Sequence, residues 1–177
     1  INNLYKQLKA EGKDALGFGV GEPDFNTPEP IKAAGIRAIE ENQTKYTASS
    51  GTQELKEAIC YRLEQDFGVQ YTPSEIAVAS GAKHSLYIAL QCLLNPGDEV
   101  ILPAPYWVSY IEMIRMCGGV PVVIPTSHEE HFKITPEQLR AAVTEKTKAI
   151  ILNNPSNPTG MIYNKDELAA LAAVCVE

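Results

Sequence analysis

The sequence predicts an α/β protein: a mainly parallel sheet with helices on both faces, preceded by a short N-terminal segment. Two observations carry this. From Glu75 onward, short apolar runs alternate with amphipathic segments of helical length, as in β-α-β units whose strands are buried on both sides. The helical segments also begin and end on the residue types that helix termini require, so chemistry as well as hydropathy marks the alternation.

In chain order, Tyr5–Lys13 reads as a first helix, and Ala15–Val20 as an extended run ending at Gly21. Thr27 is expected to cap a second helix with Pro28 at its first position; Ile31, Ala34, Ala38 and Ile39 form its apolar stripe, and it ends near Asn42. Residues 43–51 are polar and irregular, with Tyr46 isolated among lysine, threonine and serine. Thr52 then opens an amphipathic helix carrying Leu55, Ile59 and Leu63 on one face.

The strand expectations are Ile76–Ala79, Glu99–Leu102, Val120–Ile124 and Lys148–Leu152, with Pro121 marking an edge or a strand start. Between them lie Ser85–Leu94, with Leu86, Ala89, Leu90, Leu93 and Leu94 inward, and Trp107–Cys117, stopped by Gly118-Gly119. Thr135-Pro136-Glu137-Gln138 is a capping box leading into Leu139, Ala142 and Val143. Asn164-Lys165-Asp166-Glu167 caps a last helix whose stripe is Leu168, Leu171, Ala172 and Cys175. The one proposed boundary lies near Pro73, between residues 1–73 and a sheet domain of residues 74–177.

The chain has 177 residues, 45% hydrophobic, with 15 basic against 22 acidic side chains and a formal charge of −7. That is enough apolar material for a core, and the wrong sign for a nucleic-acid surface. No apolar run approaches the roughly 20 residues of a membrane helix, and the first residues lack the features of a signal peptide. A cytoplasmic protein is expected. Cys60, Cys92, Cys117 and Cys175 are widely spaced among apolar neighbours, so buried thiols are expected rather than disulfides or a metal site. His128 and His131 flank two glutamates, but without a helical period to align them they read as a solvated loop. The chain starts without methionine and stops inside an unfinished helix, so a piece of a longer protein is expected.

Three stretches bear chemistry. Asn153-Asn154-Pro155-Ser156-Asn157-Pro158-Thr159-Gly160 follows an apolar run. Its prolines restrict the backbone at what would be the carboxyl end of a strand, where ligands of parallel sheets collect. By itself such a loop also fits a plain strand-to-helix connection. Ser80-Gly81-Ala82-Lys83 lies between a strand and a helix, where free N–H groups and the helix dipole suit an anion such as phosphate; an ordinary tight turn fits equally well. It is neither a dinucleotide fingerprint nor a P-loop. Trp107, the only tryptophan, follows Pro105-Tyr106, and pattern alone divides evenly between a core anchor and a site wall.

These stretches recur, in order, with Gly21-Glu22-Pro23-Asp24-Phe25, Thr27-Pro28, Lys45-Tyr46 and Pro96-Gly97-Asp98-Glu99-Val100. Together they resemble the class I, fold-type-I aminotransferases that use pyridoxal 5'-phosphate (PLP), over nearly the whole chain. The form Tyr106-Trp107-Val108-Ser109-Tyr110 resembles the bacterial aspartate aminotransferase branch. The resemblance implies the N-terminal half of such an enzyme, with an incomplete PLP-binding large domain after a segment that holds the substrate-carboxylate loop and subunit contacts.

It implies that Gly81, Ala82 and Lys83 hold the PLP phosphate mainly through backbone and that Trp107 stacks on the ring. Asn157 hydrogen-bonds the phenolic oxygen, and Tyr46 reaches the phosphate of a neighbouring subunit in a homodimer. Gly21, Trp107 and Asn157 meet the substrate. No lysine here matches the family's Schiff-base motif, so that lysine, the acid partner of the ring nitrogen and the carboxylate-binding arginine are expected further along. The implied reaction moves an amino group between L-aspartate and a 2-oxo acid such as 2-oxoglutarate. Alternatives on the same scaffold are an aromatic, alanine or prephenate aminotransferase, or a lyase. An alternative of another class is a silent α/β binding domain.

Overall fold

The computed structural model describes residues 2–17, 21 and 23–177. Its contacts divide the chain into two compact units, residues 1–47 and 48–177. In the first unit, helix α1 spans Asn2–Ala10 and helix α2 spans Glu29–Glu40. The extended run expected at Ala15–Val20 falls partly on residues 18–20, outside the described residues. Helix α2 starts later than expected, and Thr27 does not cap it. Pro28 occupies the cap position at φ −56° and ψ 143° with no side-chain cap, and its carbonyl accepts the N–H groups of Ile31 and Lys32 at 3.0 and 3.1 Å. The expected apolar stripe is not buried either, since Ile31 and Ile39 are exposed.

The second unit begins well before Pro73. Helix α3 (Gln53–Phe67) is capped by Thr52, whose hydroxyl accepts the Leu55 N–H at 3.3 Å, and it ends on Gly68 at φ 68°. The turn before it is tied to residues beyond Pro73, because Val78 donates its N–H to the Ser50 carbonyl at 3.0 Å. This bond, with the 3₁₀ turn Pro73–Glu75 beside α3, ties Ser50 and α3 to residues 73–78, and the two units meet between Thr47 and Ala48 in the chain.

Among the described residues the sheet has three strands, all parallel, in the order β2-β1-β3: β1 Glu99–Pro103, β2 Val120–Ile124 and β3 Thr147–Ile150. The fourth expected strand, Ile76–Ala79, does not pair within this sheet; its one ladder-like bond goes to the turn at Ser50. Pro121 sits on β2, an edge strand of this sheet, where a missing N–H interrupts nothing. Helix α4 (Ala82–Leu93) precedes β1, α5 (Ser109–Met116) and α6 (Pro136–Ala142) lie between strands, and α7 (Lys165–Val176) follows β3. Their starts carry the expected capping boxes at Thr135/Gln138 and Asn164/Glu167.

Helices cover both faces because β1 alternates. Val100 and Leu102 point into a core with Leu90, Leu94, Tyr110, Met113 and Ile114 of α4, α5 and the residue after α4. Ile101 points the other way, into a core with Ile124, Ile134, Leu139, Tyr163, Leu171 and Val174. Period-two side-chain placement on one central strand thus builds two cores. Two expected stripes are corrected in detail. On α4, Leu90 and Leu94 are buried while Ala89 and Leu93 are exposed; on α7, Leu171 and Val174 are buried while Ala172 and Cys175 are exposed. The cysteines are all free, but they are not buried: Cys60 and Cys117 are half-buried, Cys92 and Cys175 exposed.

One ion pair joins the turn before α6 to the start of α7. Lys133 Nζ lies 2.9 Å from both carboxylate oxygens of Glu167, which also accepts the Asn164 N–H at 2.7 Å. The Lys133 hydrogen bond, first, and the backbone bond hold the Glu167 carboxyl below the usual carboxylate range. A lowered pKa in the folded state gives stability that is present at neutral pH and is lost as the pH falls through the lowered value. Glu167→Gln should therefore lower stability at pH 7 and narrow its gap to the wild type in acid, checked by urea melts across that range. A gap independent of pH would show that the carboxylate charge contributes nothing.

Candidate functional site

Three polar loops bear on the site: those after β1 and β3 lie at the carboxyl end of the sheet, and the turn into α4 meets the first of them through Lys83. That turn comes first in the chain. Gly81 takes φ 82° and ψ 166° at the cap position, a conformation that glycine adopts without strain. Its N–H is committed to the Ala79 carbonyl at 2.8 Å, while Ser80 donates its N–H to His84 Nδ1 at 3.2 Å. Ala82 and Lys83, the first two helical residues, donate their N–H groups to no acceptor among the described residues. The end of a twelve-residue helix therefore offers two open donors where the dipole favours an anion.

The second loop follows β1. Trp107 is half-buried against the core of Val100 and Ile114, with its indole edge-on to the Tyr110 ring, 5.4 Å between centroids and 79° between planes. Lys83 Nζ lies 4.6 Å from the indole centroid. The Lys83 side chain joins the turn at α4 to the tryptophan through a cation–π contact.

The third loop follows β3. Asn153 Oδ1 accepts the Asn157 N–H at 2.8 Å, Ser156 donates its N–H to the Met161 carbonyl at 2.9 Å, and Gly160 donates to the Ser156 carbonyl at 2.8 Å. The Asn154 amide bonds twice to the backbone of Tyr163. The side-chain amide of Asn157 is exposed and bonded to nothing among the described residues. Asn153, Ser156 and Asn157 line a small cleft with Pro105, Tyr106 and Tyr110. Contacts run from Lys83 to Trp107 and from Trp107 to Tyr110, and Tyr110 and Asn157 line the same cleft.

The other two expected site residues belong to the first unit. Tyr46 is fully exposed, as its polar surroundings predict. Gly21 is exposed, with open space around its α-carbon, and residues 20 and 22 lie outside the described residues. Among the described residues no group of histidine, cysteine or acidic side chains could hold a metal ion, and His128 pairs only with exposed Glu129 at 3.2 Å. No helix among them is long and apolar enough to cross a membrane.

Sequence reasoning missed two residues. His84 folds back onto Ser80 from the first turn of α4, and its only signal is a position four residues after the serine. Tyr163 is a buried anchor whose hydroxyl accepts the Ile134 N–H at 2.8 Å; burial pushes its pKa up, which keeps it a neutral hydroxyl. Nothing local marks it, because Ile134 is 29 residues away.

Comparison with known proteins identifies the family. The family model "Aminotransferase class I and II" matches residues 13–177. The chain is 56% identical over 176 residues to an aspartate aminotransferase of Geobacillus stearothermophilus, covering 99% of this chain and 45% of the relative. It is 54% identical over 174 residues to an aspartate/prephenate aminotransferase of Cereibacter sphaeroides, covering 98% and 44%. The solved structure of an aspartate aminotransferase from Thermus thermophilus with maleate superposes with a TM-score of 0.94 at 44% identity, covering 99% of this chain and 46% of that one. The chain thus spans a little under half the length of these relatives. With the family model matched over residues 13–177, a relative 56% identical over 99% of the chain and a solved structure superposing at a TM-score of 0.94, the chain belongs to the class I and II aminotransferase family.

Proposed function

We propose that this chain is the N-terminal half of a PLP-dependent aminotransferase that moves an amino group between L-aspartate and a 2-oxo acid such as 2-oxoglutarate. The observation that carries the proposal is the meeting, at one end of the parallel sheet, of two open helix N–H donors, an indole and a free asparagine amide. A phosphorylated pyridine needs N–H donors for its phosphate, a flat wall for its ring and a donor for its phenolic oxygen. The family and the names of the relatives support the reading.

The residues fit the cofactor. Its phosphate would be held by the N–H groups of Ala82 and Lys83, while Gly81 shapes the turn and keeps its own N–H on Ala79. Trp107 would lie against the ring, held in place by Tyr110 and Lys83. Asn157 would donate to the phenolic oxygen. When bound, PLP supplies the electron sink that the reaction requires. The chain's own share is to hold the ring flat, stabilise negative charge at its oxygen and exclude water from one face. Gly21 would meet the substrate carboxylate through its backbone. The Schiff-base lysine is assigned to the part of the protein outside this chain. The aspartate/prephenate name of one relative makes prephenate a second substrate to test.

In this reading the enzyme is a homodimer with shared sites, Tyr46 reaching the partner's phosphate. An exposed tyrosine in a polar segment suits that role. The test uses the full-length protein with aspartate and 2-oxoglutarate, and prephenate as a second acceptor. Tyr46→Phe should weaken PLP retention, and mixing it with a variant defective in the opposite site should restore part of the activity. Transfer without added PLP in cofactor-stripped protein would overturn the function; absence of complementation would overturn only the placement of Tyr46.

A further inference from the structure

The Asn157 loop is fastened to the protein by the side chain of Asn154. Pro155 and Pro158 restrict torsions inside the loop, and the bonds from Asn157 to Asn153, Ser156 to Met161 and Gly160 to Ser156 also stay within it or its immediate exit. These interactions make the loop stiff without placing it. The Asn154 amide does the placing: its Nδ2 donates to the Tyr163 carbonyl at 3.2 Å, and its Oδ1 accepts the Tyr163 N–H at 2.9 Å. One side chain thus satisfies both backbone groups of a residue that is 6% exposed and packed among Ile101, Ile134, Leu139 and Leu171.

Tyr163 is itself fixed. Its hydroxyl accepts the Ile134 N–H at 2.8 Å, and the Lys133 ammonium, held by Glu167, lies 5.7 Å from its ring centroid. The sequence from core to site is therefore Tyr163, Asn154, loop, Asn157. We propose that Asn154 is a positioning residue, whose two bonds to Tyr163 hold the Asn157 amide at the orientation needed to donate to the cofactor oxygen. This rests on the reading of Asn157 as that donor. Alanine at position 154 would leave both prolines and the Asn153 bond in place, so any loss of order at Asn157 reports the Tyr163 attachment.

Two measurements on the full-length protein test the proposal, the first needing no cofactor. In cofactor-stripped protein, Asn154→Ala should speed hydrogen exchange at the Asn157 N–H by about tenfold. The Ile151 N–H, bonded to the Ile101 carbonyl at 3.0 Å, should keep its rate. No change at Asn157, or equal acceleration at both amides, overturns the proposal, the latter because it marks general destabilisation. In the loaded protein, Asn154→Ala should move the pH of the cofactor's absorbance change in the same direction as Asn157→Ala and less far. The double variant should match Asn157→Ala alone, since Asn154 acts through Asn157. Summed shifts overturn the proposal. If Asn157→Ala leaves the absorbance titration at the wild-type value, the donor reading of Asn157 fails by itself, and exchange at Asn157 then decides whether Asn154 positions the loop.

Discussion

In the full-length protein, Asn157→Ala should raise by about one to two units the pH at which the absorbance of bound PLP changes. The amide of Asn157 is exposed at the cleft and makes no hydrogen bond among the described residues, so its donor capacity is available to a ligand. Its backbone is not free, because Asn153 Oδ1 accepts its N–H at 2.8 Å. A loop backbone held before binding leaves only the side chain to be ordered when its amide stabilises negative charge on the cofactor oxygen. A hydrogen bond to a charged acceptor contributes about 1.5–3 kcal/mol, and one pKa unit corresponds to 1.36 kcal/mol, which sets the expected shift. The fold should barely respond, since the lost amide faces solvent. A large fall in melting temperature with an unchanged absorbance titration would show instead that Asn157 serves only its own loop.

The largest stability loss is expected at Ile114. Its side chain is completely buried in the core under β1, among Leu90, Leu94, Val100 and Met113. A Cβ added at Gly119 would come within 3.0 Å of its Cγ2, so the surroundings are tight and have little room to collapse into a void. Ile114→Ala should cost about 2–5 kcal/mol by lost burial and cavity formation. Val123→Ala, on the exposed outer part of the edge strand β2, should cost less than about 1 kcal/mol. Equilibrium urea unfolding of the full-length variants gives the comparison. Equal losses at the two positions would mean that the core under β1 does not dominate the unit. The Ile114 change should also reach the site, because Trp107 packs on this core and edge-on to Tyr110. Weaker PLP retention in Ile114→Ala than in Val123→Ala would confirm that route.

Much of the site was legible because its elements are local. The capping boxes at Thr135 and Asn164, the Thr52 cap and the glycine at the turn into α4 each depend on residues within three or four positions, so their chemistry appears directly in the sequence. The family motifs marked Lys83, Trp107 and Asn157, and the structure brings these three around one end of the sheet. What the motifs could not provide was the contact between them. Lys83 and Trp107 are separated by a helix and a strand, and only the packing of α4 and α5 into one core against β1 sets their N-terminal turns side by side. The hold of Asn154 on Tyr163 was equally silent, since any exposed asparagine before a proline would have read the same.

By itself the sequence determined the α/β class, the buried strand Glu99–Leu102 and the helix boundaries marked by side-chain caps; the structure alone made that strand the central one. Hydropathy period and capping are properties of a few consecutive residues, and they remain the same whatever the chain packs against. Only the tertiary structure decided which side of α7 faces inward. That helix is apolar nearly all round, so Leu171 with Ala172 and Cys175, or Leu171 with Val174, serve equally until Ile101 and Leu139 select the second. It also decided that Ile76–Ala79 lies along the turn at Ser50 rather than in the sheet, because strand pairing is a long-range choice that an extended segment leaves open.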